Sequence, residues 1–153
     1  MLTQSAENSR VGGSNPPVEL IKQFSLEFNA DVINGYGMTE TCGLSCTALP
    51  TDPPELKAIA GLPLPGVSLR VVDENYELVK HDLPGELLYK GPGLMEGYGN
   101  LPDGSSGIND DGWFPTGDLA TMNSNGYINI VGRSKEMIIR GGENLYPIEI
   151  ENY

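Results

Sequence analysis

An apolar run that leads straight into a glycine cluster constrains this chain more than any other feature: Ala30-Asp31-Val32-Ile33, then Asn34-Gly35-Tyr36-Gly37-Met38-Thr39-Glu40-Thr41. The run reads as a short buried strand, and the cluster as the turn that the strand delivers. Glycine in such a turn admits positive φ and lets backbone approach a ligand closely. The neighbouring side chains have complementary chemistry. Tyr36 offers an aromatic face, Thr39 a hydroxyl that donates to a phosphate oxygen, and Glu40 a hard oxygen ligand of the kind Mg²⁺ takes. A strand ending in this group is suited to holding a nucleotide.

The flanking sequence places the cluster in an α/β layer. Asn15-Pro16-Pro17 opens a helix whose apolar positions Val18, Leu20, Ile21, Phe24 and Phe28 predict one buried face. Before it, Gly12-Gly13-Ser14 is either a ligand-facing strand end or a plain strand-to-helix turn capped by Ser14 or Asn15. From Ala60 to Ile130 the texture changes to short runs broken by turns. Val67 to Val71 alternates with period two, Asp73-Glu74-Asn75 is a turn, Glu77-Leu78-Val79 a second strand and Gly85 to Lys90 a third. That pattern predicts a small β-barrel or curled sheet, with Pro102 to Gly107 as a surface loop. The fold class expected is thus α/β plus β.

Composition narrows the function classes. Hydrophobic residues at 39% argue against disorder, while 20 Gly and 12 Pro in 153 residues fit a turn-rich body. A net charge of −12 with nine Lys and Arg excludes a nucleic-acid or anionic-membrane surface, since neutralising phosphates takes clustered cations. ATP is still admissible, because Mg²⁺ and backbone amides act locally. Cys42 and Cys46 are too few for a disulfide framework and are expected to be reduced and packed near the glycine cluster. No apolar run approaches the ~20 residues of a membrane span, and Met1 to Arg10 carries no signal pattern, so the expected location is cytoplasmic.

Tyr36-Gly37-Met38-Thr39-Glu40 resembles the phosphate and adenine motif of adenylate-forming enzymes, the superfamily of acyl-CoA synthetases, luciferases and peptide-synthetase adenylation domains. Three further blocks follow in that family's order. They are Gly85-Glu86-Leu87 with Gly97-Tyr98, then Gly112-Trp113-Phe114-Pro115-Thr116-Gly117-Asp118, then Gly132-Arg133-Ser134-Lys135 running into Gly141-Gly142-Glu143-Asn144-Leu145-Tyr146-Pro147. The last block is more similar to fatty-acyl-CoA synthetases than to the other branches. The family's upstream Ser/Thr/Gly-rich lysine loop and its C-terminal Gly-Lys element have no counterpart here, so the resemblance implies the middle fragment of a larger enzyme, inactive by itself. It implies an α/β subdomain over 1–55, a distorted β-barrel over 56–133, a hinge at 134–136, and the start of a small α+β domain over 137–153.

The same resemblance assigns roles. ATP or AMP would be held by Gly12, Gly13, Ser14, Asn34, Gly35, Tyr36, Gly37, Met38 and Thr39 together with Asp118, Ile130 and Arg133. Thr39 and Glu40 would be catalytic, Glu40 as the metal ligand. Lys135 would be the hinge, Gly141, Gly142 and Glu143 would border the CoA channel, and Cys42 and Gly43 the acyl pocket. The residues alone leave alternatives. Asp118 has two oxygens for the two ribose hydroxyls, or is a turn carboxylate. Arg133 donates to the same ribose or forms a surface ion pair, Ile130 packs on adenine or in the core, and Lys135 is a hinge or one more exposed lysine. Trp113 reads as packing. The implied cofactors are ATP, Mg²⁺ and coenzyme A, and the implied partner is a small carboxylic acid, medium-chain fatty acid being preferred. An aryl-acid ligase, a peptide-synthetase adenylation domain and a non-catalytic nucleotide-binding relative are the alternatives.

Overall fold

The computed structural model describes residues 8–13, 15–98, 107–136, 138–140 and 143–145. Ser14, Gly141 and Gly142, and all but Gly107 of the expected surface loop, lie outside them. The architecture is mixed α/β. Strands β1 (Asn8–Gly12) and β2 (Asp31–Met38) pair in parallel, Gly12 opposite Gly35. Parallel neighbours need a crossover, which helix α1 (Val18–Phe28) supplies. The helix starts where the prolines end, with Pro17 at the cap position and no side-chain cap bond. Asn15 is therefore not the cap: its Nδ2 donates instead to Asn129 Oδ1 at 2.7 Å and to the Ile130 carbonyl at 2.8 Å.

Two expectations about this layer fail for physical reasons. Only Ile21, 2% exposed, is fully buried on α1, packed with Val18 against Val32 and Ala58. Phe24 and Phe28 touch each other, ring centres 5.3 Å apart, yet remain exposed with Leu20 and Leu26. The elements against α1 are β2 and the four-residue helix α2 (Pro54–Lys57), too short to cover an eleven-residue helix. The second correction concerns the glycine cluster, which is strand rather than turn. β2 runs through Met38, and the turn is the 3₁₀ segment Thr39–Thr41. Neither Gly35 nor Gly37 takes a positive φ. They are glycines because β3 (Gly43–Thr47) folds back antiparallel onto them. A Cβ on Gly35 would lie 2.7 Å from Leu44 Cδ1, and one on Gly37 would lie 2.8 Å from Leu44 Cα. The positive φ values fall in the reversal itself, at Cys42 (56°) and Gly43 (102°).

Strand β4 (Leu62–Pro63) completes the first sheet in the order β1-β2-β3-β4. The second sheet is an antiparallel meander of β5 (Ser68–Val72), β6 (Gly85–Lys90), β7 (Phe114–Met122) and β8 (Ile128–Arg133). Among the described residues its pairings run in that open order, without β5 to β8 closure. The strand expected at Glu77 to Val79 shrinks to one bridge, Val72 to Leu78. There the Asp73 carboxylate accepts from the N–H groups of Asn75 and Glu77, a side-chain turn that withdraws amides from the ladder. The sheets meet where Gly61 and Ile128 exchange backbone hydrogen bonds, over a core of Cys46, Ala60, Leu69, Val71, Leu87, Tyr89, Ala120 and Ile128. Trp113 packs with Val72 and Leu88, the Arg70 guanidinium 4.3 Å above its ring, as its packing assignment anticipated. Strands β9 (Ile138–Arg140) and β10 (Glu143–Leu145) form an antiparallel pair, which places Glu143 in a strand opposite Arg140. Among the described residues no helix is long and apolar enough to cross a membrane.

The cysteines are free but not alike: Cys46 is in the core, whereas Cys42 is exposed, contrary to the expected packing. Burial pushes the Cys46 thiol from 9.0 to about 12. The folded state holds that proton more tightly, so the associated stability is intact below pH 9.0 and drains away as pH rises toward about 12. Iodoacetamide at pH 8 is expected to label Cys42 quickly and Cys46 only on unfolding, read by peptide mass spectrometry. Equal labelling rates would place Cys46 at the surface.

Candidate functional site

Side chains alternate along a strand, so β2 presents two different surfaces. On one lies a cavity of about 710 Å³ lined by Val11, Gly12, Gly13, Gly35, Gly37, Met38, Thr39, Cys42, Gly43 and Leu44. Val11 and Leu44 are the members sequence reasoning missed, since an aliphatic side chain carries no chemical signal. On the other surface, Tyr36 reaches Asp118 of the second sheet, while Asn34 meets Asn15 and Ala58.

Asp118 is the centre of that second group. Register sets Asp118 on β7 opposite Arg133 on β8, and Arg133 Nε lies 3.3 Å from Asp118 Oδ1. Arg133 is 68% exposed in its side chain while Asp118 is 8% exposed overall, so solvent screens the pair from one side only. The other carboxylate oxygen, Oδ2, accepts from the Tyr36 phenol at 2.6 Å. The backbone beneath is fixed as well. Asp118 N–H donates to Thr116 Oγ1, which donates to the Leu87 carbonyl, and Gly117 sits at φ 75°, where a side chain would be strained. Ser134 donates to the Gly117 carbonyl from both its N–H and its Oγ.

Asn34 is buried, and its Nδ2 donates to Asn15 Oδ1 at 3.3 Å and to the Ala58 carbonyl at 3.1 Å. Both partners are acceptors, which fixes the amide's orientation. Asn34 Oδ1 is left as a buried acceptor with no partner among the described residues. An orphan of this kind costs roughly 1–3 kcal/mol unless something donates to it. Ile130 is half-buried against the core, and its carbonyl receives Asn15.

The strand end carries the remaining chemistry. Thr39 is exposed and borders the cavity. Glu40 Oε1 accepts from the Tyr98 phenol at 2.9 Å, and the Glu40 carbonyl accepts from Met95 N–H, so residues 95–98 hold this carboxylate in place. The Gly97-Tyr98 block signalled Tyr98, though not its partner. Thr41 is buried, its Oγ1 accepting from Met38 N–H and 2.8 Å from Ser45 Oγ, which secures the 3₁₀ turn. The described residues contain no cluster of three or more His, Cys, Asp or Glu. One positioned carboxylate matches how Mg²⁺ binds beside substrate phosphates and does not suit a cation held by protein alone. Lys135 is exposed in the turn after β8, beside Glu136 N–H, which donates to the Arg133 carbonyl.

A parallel pair with a crossover helix, a glycine-lined cavity at the strand end and a buried carboxylate beyond it make up a mixed α/β layer. Comparison gives the family. The AMP-binding enzyme model matches residues 3–99, and the chain belongs to that family. It is 41% identical over 147 residues to the mitochondrial medium-chain acyl-CoA ligase ACSF2 of Homo sapiens, covering 94% of this chain and 24% of that protein. Indoleacetate–CoA ligase of Aromatoleum aromaticum is 40% identical over 141 residues, 92% of this chain and 28% of that protein. The chain thus spans about a quarter of the length of these curated relatives. The solved O-succinylbenzoate coenzyme A synthetase of Bacillus subtilis, in complex with ATP and magnesium ion, superposes with a TM-score of 0.88 at 31% identity over 99% of this chain and 31% of its own.

Proposed function

We propose that this chain supplies the adenosine-binding and acid-binding surfaces of an ATP-dependent acid–CoA ligase. The observation that carries the reading is the division of β2: Tyr36, Asn34 and the Asp118–Arg133 pair lie on one side, the 710 Å³ cavity on the other, with Thr39 and Glu40 at the end of the strand. Adenosine occupies the first side. Its ribose hydroxyls donate to Asp118, Arg133 assists, the base lies by Tyr36 and Ile130, and an exocyclic amine satisfies Asn34 Oδ1. The carboxylic acid enters the cavity by Cys42 and Gly43, while Gly12, Gly13, Gly35 and Gly37, which line the same cavity, face the nucleotide as the resemblance implies. Thr39 donates to a phosphate oxygen, and Glu40, held by Tyr98, would hold Mg²⁺. The ion would supply charge neutralisation on the phosphates.

A carboxylate is a poor electrophile, so activation comes first. The acid's oxygen attacks the α-phosphorus, the α–β phosphoanhydride breaks, and pyrophosphate leaves. The CoA thiol then attacks the acyl carbon and AMP departs. Residues of this chain serve these steps by positioning, the largest lever available when the reactants carry the charge. The family's domain plan fits as a proposal: α/β subdomain 1–55, barrel-like 56–133, hinge 134–136 with Lys135, and 137–153 opening the mobile domain, with Gly141, Gly142 and Glu143 near the CoA channel. Medium-chain fatty acid is the preferred substrate. An arylacetic acid is the second reading, favoured by the 40% identity to indoleacetate–CoA ligase.

The test is an acyl-sulfamoyl-adenosine, which mimics the acyl-adenylate and spans both sides of β2. Calorimetry should find octanoyl-sulfamoyl-adenosine binding this chain at least about tenfold more tightly than AMP, each extra buried group adding its share. No advantage over AMP would separate the cavity from the site. For the hinge, Lys135→Pro in the whole enzyme fixes φ near −65°. Pyrophosphate release in a single turnover is expected to persist while thioester formation from supplied acyl-adenylate collapses. Equal loss of both steps would mean local misfolding, and no loss would remove Lys135 from the mechanism.

A further inference from the structure

We propose that Tyr36 is the positioning residue for Asp118, its phenol fixing the carboxylate so that the protein reads the sugar of its nucleotide. This deepens the adenosine reading and rests on it. The two residues are 82 positions apart in sequence and lie on different sheets, so their 2.6 Å bond ties the strand that ends at Met38 to the strand that carries Asp118. An O–H to carboxylate bond of that length is charge-assisted and belongs to the stronger class. The phenol has one proton, with Asp118 Oδ2 at 2.6 Å and Met38 Sδ at 3.7 Å among the acceptors beside it. The charged oxygen takes it.

The consequence is a division of labour on one carboxylate. Tyr36 occupies Oδ2 and Arg133 faces Oδ1 at 3.3 Å, so neither oxygen is free to rotate, and each keeps capacity for one more donor. Two acceptors held side by side match the two hydroxyls of a ribose. Burial, and then the bond to Asp118, raise the phenol's pKa far beyond the working range, so the donor is present at every usable pH. Arg133 cannot replace this function. It is mostly exposed and approaches from solvent, whereas the Tyr36 ring packs against the core.

Tyr36→Phe keeps the ring and removes only the hydroxyl. AMP and 2′,3′-dideoxyAMP are titrated calorimetrically into the wild-type chain and the variant. Wild type should prefer AMP by about tenfold or more, the yield of charge-assisted bonds to the sugar. In Tyr36→Phe most of that preference should vanish while the dideoxy nucleotide binds within about twofold of before, since stacking is retained. If the variant weakens both nucleotides equally, the ring matters and the hydroxyl does not, and the proposal falls. An unchanged preference also overturns it. Equal wild-type affinity for the two nucleotides overturns the ribose reading itself. A nucleotide-free measurement stands beside these: a denaturation cycle of Tyr36→Phe and Asp118→Asn should show coupling of about tenfold in the unfolding equilibrium, and strict additivity would refute the contact.

Discussion

Gly37→Ala is expected to cost about 3 kcal/mol or more and to disrupt the β2–β3 pairing. The added methyl would lie 2.5 Å from Gly43 C and 2.8 Å from Leu44 Cα, and would drive into the Gly43 carbonyl oxygen. Each of these atoms is backbone, so no side-chain rotation relieves the clash. Gly43 cannot yield readily, because it sits at φ 102° in the reversal that follows Cys42. Against a total stability of about 5–15 kcal/mol, the loss is large. Gly12→Ala is the control: its Cβ meets one atom, the Gly35 carbonyl oxygen at 3.2 Å, and a shift of a few tenths of an ångström accommodates it. Urea denaturation should therefore show a wide gap between the two variants. Similar midpoints would mean that β3 does not press on Gly37.

Asp118→Ala has the largest expected effect on binding. The carboxylate is buried and holds both Tyr36 and Arg133, so its removal deletes the proposed ribose acceptor and leaves the phenol without its charged partner. Charge-assisted hydrogen bonds of this kind are worth about 1.5–3 kcal/mol, or roughly 10–150-fold in Kd. AMP and ATP share the ribose, so both should weaken by the same factor. Calorimetry checks this. If ATP weakens and AMP does not, the effect lies at the phosphates, and Asp118 is not the sugar's acceptor.

Much of this was legible because local chemistry and local geometry agree. The run through Val32 and Ile33 marked a strand, Pro16-Pro17 marked a helix start, and Gly85 to Lys90 marked a strand with its full bounds. The extent of β2 was not legible. Glycine ordinarily breaks a strand, and the reason it does not at Gly35 and Gly37 is the approach of β3, a tertiary fact that no local pattern encodes. The helix face misled in the opposite way, since periodicity reports which residues can be buried and not whether a partner exists to bury them. In the site, Thr39, Glu40 and Tyr36 stood out by chemical type, and Asp118 through the family resemblance. The pairings among the site residues did not, because Tyr98 is 58 positions from Glu40 and Asp118 is 82 from Tyr36. Those contacts are set by how the sheets pack.

Adenosine on the Tyr36 side of β2 is the claim on which the functional reading turns. Titrating AMP into isotope-labelled chain and following amide and side-chain resonances tests it most directly. The prediction is saturable shifts at Asn34, Tyr36, Asp118 and Arg133, with Val11 and Leu44 on the cavity side little changed. Shifts confined to the cavity side, or none up to millimolar AMP, would contradict it.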